Sequence, residues 1–187
     1  NHYLEVASGH DATMTAEIRF IRALHYYMLM DAYGNIPFAT TLTQPARMTR
    51  AEAYTWLENE LLDLVNGLAD AKAKKSSDAN YGRVDKAAAW MLLSRLYLNA
   101  EVYTGTPQWG KAAQYAKMVM DSPYKLNTKS VNGWSAYQML FMGDNGETDA
   151  AYEGVFPILQ DGLTTTSWGT SLFLMASTYD GDMHSNP

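Results

Sequence analysis

Between Thr13 and Tyr33 apolar residues recur at three- and four-residue steps: Ile18, Ile21, Leu24, then Tyr27 or Met28. That spacing predicts a long helix, and its apolar girth predicts packing on several sides. Arg19, Arg22 and His25 form a narrow polar stripe along it, with His25 expected as a hydrogen-bonded core or interface residue. Gly34 and Pro37 stop the helix, because glycine accepts a left-handed cap and proline cannot continue the ladder. Thr49, Arg50, Ala51 and Glu52 have the spacing of a capping box. They open a second helix, predicted to reach about Ala73, with Lys72, Lys74 and Lys75 near its C-terminal dipole. A third helix is predicted over residues 85–103. A fourth opens with Thr106 as N-cap and Pro107 as its first residue and runs to about Asp121. A short fifth helix is predicted near residues 134–142 and a short strand over 153–159. Residues 74–82 and 143–149 read as polar loops, and Gly, Thr and Ser dominate from Gly162 on.

An internal register underlies these elements. Tyr27 and Tyr97 are 70 residues apart, as are Tyr33 and Tyr103, and each pair lies on a long helix that ends near a glycine. Seventy is close to two tetratricopeptide periods of about 34 residues. Trp109, Ala112 and Ala116, followed by Pro123, resemble the second helix of such a repeat, although Tyr97 to Trp109 is a long turn. The predicted fold class is all-α: tetratricopeptide-like helix–turn–helix repeats with long loops and a short β segment.

Composition narrows the function. At 187 residues the chain has the length of one domain, and 47% hydrophobic against 18% charged residues excludes a disordered chain. No apolar run approaches the 18 residues of a membrane-spanning helix. A net charge of −6 argues against binding a nucleic-acid backbone. With no cysteine there is no disulfide, thiolate metal site or cysteine nucleophile. The 13 tyrosines and 5 tryptophans suit both core packing and carbohydrate or peptide contact. The first residue is Asn1 and the chain shows no n-region or h-region of a signal peptide, as expected of a mature form or an excised piece.

Catalytic patterns are missing. The four histidines show no metal-binding spacing, and neither a Gly-x-Ser-x-Gly elbow nor a phosphate-binding glycine loop occurs. A glycosidase needs two carboxyl groups roughly 5–10 Å apart. Glu58 and Glu60 are two positions apart on a helix and face different ways. Asp144, Glu147, Asp149, Glu153 and Asp161 fall in loops. Asp161-Gly162 and Asp180-Gly181-Asp182 could offer oxygens to calcium, but turn formation is the default reading. No cofactor is expected. The run Tyr26 to Met30 reads as core, with methionine as gap-filler. Trp168 and Tyr179 stand outside any helical period, either plugging the core or forming a ligand platform. Tyr179, Trp168, Asp180 and His184 are the candidate ligand-binding residues, with Asp182 and Asn186 close by.

Three blocks carry a family resemblance. One runs from Ala16 through Arg19, Arg22, Ala23, Leu24 and His25 to Asp31, Gly34, Pro37 and Phe38. The second runs from Tyr81, Gly82 and Arg83 through Lys86, Ala87 and Ala88 to Leu96, Tyr97, Tyr103 and Gly105. The third is Phe156, Pro157, Ile158, Gln160, Asp161 and Gly162. In order and spacing over about residues 13–183 they resemble the SusD/RagB family. The resemblance implies a non-catalytic cell-surface lipoprotein of the outer membrane that binds glycan, with starch-like α-glucan the expected ligand. It implies a SusC-like TonB-dependent transporter as partner and a lipid anchor outside this chain. It also implies that residues 1–187 are part of one larger domain, with residues 13–123 as helical scaffold and 124–187 as a loop-rich segment. Arg19, Arg22, Arg83 and Lys86 are expected to tie helices and loops together by charged hydrogen bonds. A glycoside hydrolase on a helical scaffold and a tetratricopeptide adaptor for proteins are the alternatives.

Overall fold

The computed structural model describes residues 1–6, 9 and 11–160. Residues Asn1–Phe156 cluster as one compact unit and Pro157–Pro187 as another. The first contains α1 (His2–Val6), α2 (Ala12–Tyr33), β1 (Ile36–Phe38), β2 (Ala46–Met48), α3 (Arg50–Leu64), α4 (Lys86–Leu98), α5 (Ala100–Thr104), α6 (Trp109–Met120) and α7 (Ala136–Met139). The all-α expectation holds. The β segment, however, is the antiparallel pair β1–β2, with Ile36 opposite Met48. Residues 153–159 form no strand: Asp149–Glu153 is a 3₁₀ helix capped by the Thr148 side chain. Glu153 instead turns its carboxylate to the Asn127 N–H at 2.7 Å.

Local chemistry sets the helix boundaries. The Asp11 carboxylate accepts the Thr13 N–H and opens α2; Gly34, at φ 77°, closes it with its N–H on the Met30 carbonyl. The capping box at Thr49 is present in full, Thr49 and Glu52 each accepting the other's backbone N–H. α3 stops at Leu64, nine residues before the sequence pattern suggests, and one 3₁₀ turn (Val65–Gly67) follows. Two tertiary contacts explain this. A Cβ on Gly67 would lie 3.0 Å from the Ala16 Cβ of α2. The next residues leave to pair with the start of α4, where Ala69 bridges Asp85 and its carbonyl accepts the Lys86 N–H. The third predicted helix is split at Asn99, whose side chain donates to the Arg95 carbonyl. α6 begins at Trp109 rather than Pro107, because the Thr106 N–H is held by the Thr104 hydroxyl at the end of α5.

Two helix pairs, α2 with α3 and α4 with α6, share one core. Phe20, Tyr27 and Met30 meet Tyr54, Leu57, Leu61 and Leu64; Leu92, Leu93, Leu96 and Tyr97 complete it. Each fully buried large aliphatic contributes about 1.5–3 kcal/mol. The 70-residue register reappears as a match of helix faces. Ala23 and Leu93, Tyr27 and Tyr97, and Met30 and Ala100 are buried, whereas Ile21 and Met91, His25 and Arg95, and Met28 and Leu98 are exposed. Met28, expected in the core, lies outside it, and His25 is hydrogen-bonded through its Nδ1 to the Ile21 carbonyl at 2.7 Å but is exposed and not part of the core. Tyr33 and Tyr103 also differ: Tyr103 is buried with its hydroxyl donating to Asp31 at 2.6 Å, while Tyr33 is exposed.

Candidate functional site

The charged residues of the shared blocks hold the scaffold. Arg19 grips Glu60 with two parallel hydrogen bonds of 2.9 and 2.7 Å and reaches Asp63; Arg22 adds a third to Glu60 at 2.9 Å. Burial pushes the Glu60 carboxyl up, but the two guanidinium groups outweigh it and hold the carboxyl below the ordinary range. Arg83 on the loop before α4 is bound to the buried Glu17 of α2, and Lys86 to Asp70. Glu58 turns the other way, as its spacing from Glu60 requires: it accepts the Tyr97 hydroxyl at 2.8 Å and the Lys111 ammonium at 3.0 Å. These ties join α2 to α3, α3 to α4 and α3 to α6.

Asp85 is the buried hub. It is fully buried, N-caps α4 through the Ala87 N–H, accepts the Lys72 N–H at 3.0 Å and accepts the Tyr124 hydroxyl at 2.7 Å. Burial, then the hydrogen bond to Asp85, raises the Tyr124 hydroxyl well above its ordinary range. The Lys74 ammonium is 3.7 Å away and also donates to the Arg83 carbonyl. Lys74 is thus a buried ionic partner and not a helix-dipole residue. The hub fixes the loop at 69–75 beside the segment at 123–125, and a groove of about 640 Å³ opens where these segments meet Asn127–Lys129, Asp149 and Tyr152. A second hollow of about 580 Å³ lies between α2 and the β1–β2 connection, walled by Tyr26, Leu29, Pro37 and Leu42 with Arg22 and His25 at its edge.

Beyond the groove, residues 131–141 carry a row of exposed aromatics. Val131 and Trp134 exchange backbone hydrogen bonds around a tight turn whose central residues, Asn132 and Gly133, both have positive φ. That is the geometry an Asn-Gly pair favours. Ser135 and Gln138 form a second capping box for α7. Asn127 and Asn145 pin the segment by donating to the Ala136 and Leu140 carbonyls at 2.8 and 2.7 Å. Met139 anchors it, 4% exposed, while Trp134 is 48%, Tyr137 70% and Phe141 71% exposed. The Tyr137 and Phe141 rings meet edge-on at 5.1 Å. Large aromatics held open to water on a pinned segment suit stacking against a flat apolar ligand face.

The sequence predicts a short helix here but not the exposure of its aromatics. The signals were the Asn-Gly turn and the steps of three and four residues from Trp134 to Tyr137 to Phe141. The residues it selected, Tyr179, Trp168, Asp180 and His184, lie outside the described residues, as do Asp161, Asp182 and Asn186 with their calcium option. Among the described residues no group of three acidic or histidine side chains is placed to hold a metal ion, and no helix is long and apolar enough to cross a membrane.

Comparison with known proteins gives a consistent result. The SusD-like family model, described as starch-binding and associating with the outer membrane, matches residues 3–98. A curated starch-binding protein SusD of Bacteroides thetaiotaomicron is 40% identical over 185 residues, which is 95% of this chain and 31% of that protein. The chain therefore spans about a third of the length of the curated relative it matches. A crystal structure of a SusD-like protein from Bacteroides fragilis superposes with a TM-score of 0.62 at 20% identity, covering 80% of this chain and 27% of that one. A surface glycan-binding protein from Bacteroides uniformis does so with a TM-score of 0.58 at 25% identity, covering 78% and 32%.

Proposed function

Because the chain belongs to the SusD-like family, we propose that it is part of a non-catalytic glycan-binding lipoprotein at the outer-membrane surface, with starch-like α-glucan as ligand. The observation that carries this reading is the 40% identity to a starch-binding protein along 95% of the chain. In this reading Trp134, Tyr137 and Phe141 offer ring faces to pyranose rings, and Trp168 and Tyr179, with Asp180 and His184 for the hydroxyls, offer a further contact. Sugar rings carry apolar C–H faces and polar rims, so stacking and hydrogen bonding act together. The scaffold carboxylates support binding without hydrolysis. Glu60 is saturated by two arginines and Glu58 by Tyr97 and Lys111, so neither stands free as an acid or base.

The repeated helices α2 and α4 to α6 act as the rigid platform beside a TonB-dependent transporter. Incubation with maltooligosaccharides tests the glycan reading: depletion of sugar without new reducing ends is expected. New reducing ends would make the protein a hydrolase, and no depletion would leave a protein adaptor. Co-purification with the transporter is expected to survive Trp168→Ala; dissociation would place the interface at the sugar site instead.

A further inference from the structure

The groove beside the Asp85 hub has a charge that the scaffold does not use. Lys72, Lys125 and Lys129 line it against Asp78 and Asp149, and Lys75 stands behind Asp149. Its lining carries three lysines against two carboxylates, with Lys75 behind Asp149 and Glu153 on the Asn127 N–H, a positive surplus in a chain whose net charge is −6. A helix dipole does not account for the lysines at 72–75, since α3 ends at Leu64. Lys74 is accounted for by Asp85, and Lys75 and Lys129 share Asp149. Lys72 and Lys125 are exposed, line the same groove and hold no ion pair among the described residues. Their backbones are nevertheless fixed: the Lys72 N–H is on Asp85, Tyr124 beside Lys125 is on the same carboxylate, and the Lys125 N–H meets the Tyr152 carbonyl at 3.4 Å. Two unspent cations on pre-organised walls, with the Thr128 hydroxyl on the same lining, match an anionic and hydroxyl-rich ligand.

We propose that this groove is a second carbohydrate site that takes an acidic sugar, a uronate or a sulfate ester, with the Lys72 and Lys125 ammonium groups on its anionic group. The charge is read from the groove itself; that a sugar carries it rests on the glycan-binding reading. Its two lysines are not part of the aromatic row, which adjoins the groove through Asn127, and the site complements a neutral-glucan contact there.

Calorimetry with hexagalacturonate and with a chondroitin sulfate hexasaccharide tests it, with maltoheptaose and inorganic sulfate as comparison ligands. At least one acidic hexasaccharide is expected to bind, more weakly as salt is added. The double variant Lys72→Ala, Lys125→Ala is expected to weaken that binding at least about tenfold, with maltoheptaose affinity and melting temperature unchanged. Binding of maltoheptaose but of neither acidic hexasaccharide would overturn the groove proposal and leave the glucan reading intact. Lysine-dependent binding of an acidic hexasaccharide without maltoheptaose binding would uphold the groove and refute the glucan assignment. Inorganic sulfate binding as tightly as the hexasaccharides would mark a plain anion site and overturn the sugar assignment, as would acidic-sugar binding that the double variant leaves unchanged.

Discussion

Asp85 accepts hydrogen bonds from two backbone N–H groups and the Tyr124 hydroxyl while facing the Lys74 ammonium, and no part of it reaches water. Removing it strands a buried cation and leaves α4 uncapped, so Asp85→Ala is expected to cost about 3–5 kcal/mol in denaturant unfolding. Tyr124→Phe removes one hydrogen bond to a charged acceptor and is expected to cost about 1.5–3 kcal/mol. A Tyr124→Phe loss equal to that of Asp85→Ala would contradict the hub. Glu60 adds a pH dependence. Its carboxyl is lowered in the folded state from an ordinary 4.5. Its stabilising effect is therefore complete above that value and is lost as pH falls through the lowered one. Glu60→Gln is expected to flatten the acid limb of the stability–pH curve below about pH 4.5 while lowering stability at neutral pH. An acid limb as steep as that of the unchanged protein would show that other groups drive acid unfolding.

Helix ends show which parts of the elements are local. Gly34 and Gly105 both close helices at positive φ, 77° and 78°. A Cβ at Gly34 would come within 2.9 Å of the Arg50 guanidinium, whereas at Gly105 it would meet nothing within 4 Å. Gly105, at ψ 1°, is in the left-handed helical region, where alanine costs about 1–2 kcal/mol, and Gly34, at ψ −88°, lies outside it and costs an alanine at least as much. Gly34→Ala is expected to lose more than Gly105→Ala by thermal unfolding, and equal losses would mean that Arg50 simply swings away. The Thr49 capping box and the 70-residue register were legible because both depend on residue types at fixed spacing. The end of α3 was not. The apolar steps run on to Leu68 and the lysines imitate a C-terminal turn, while the actual stop depends on Ala16 and on Asp85, far away in sequence. The strand expected at 153–159 fails for a related reason. Its β-compatible composition says nothing about a partner, and Glu153 and Tyr152 are bound to residues 125–127 in a 3₁₀ turn.

At the scale of the molecule, charged ties and a shared core join two helix pairs, and the proposed sugar contacts lie on the segments they carry. The family was legible from ordered blocks because those blocks contain the scaffold's own ties, Arg19, Arg22, Arg83 and Lys86. The aromatic row was not, because an aromatic in a short helix reads as core until exposure is known. The most direct measurement is a calorimetric titration with maltoheptaose of the protein and of its Trp134→Ala and Tyr137→Ala variants. By analogy with aromatic stacking on nucleobases, each lost ring should cost about 1–3 kcal/mol. The account therefore predicts saturable binding weakened roughly fivefold to 150-fold in each variant, with the melting temperature unchanged. Variants that bind as tightly as the unchanged protein, or an unchanged protein that takes up no maltoheptaose at millimolar concentration, would contradict it.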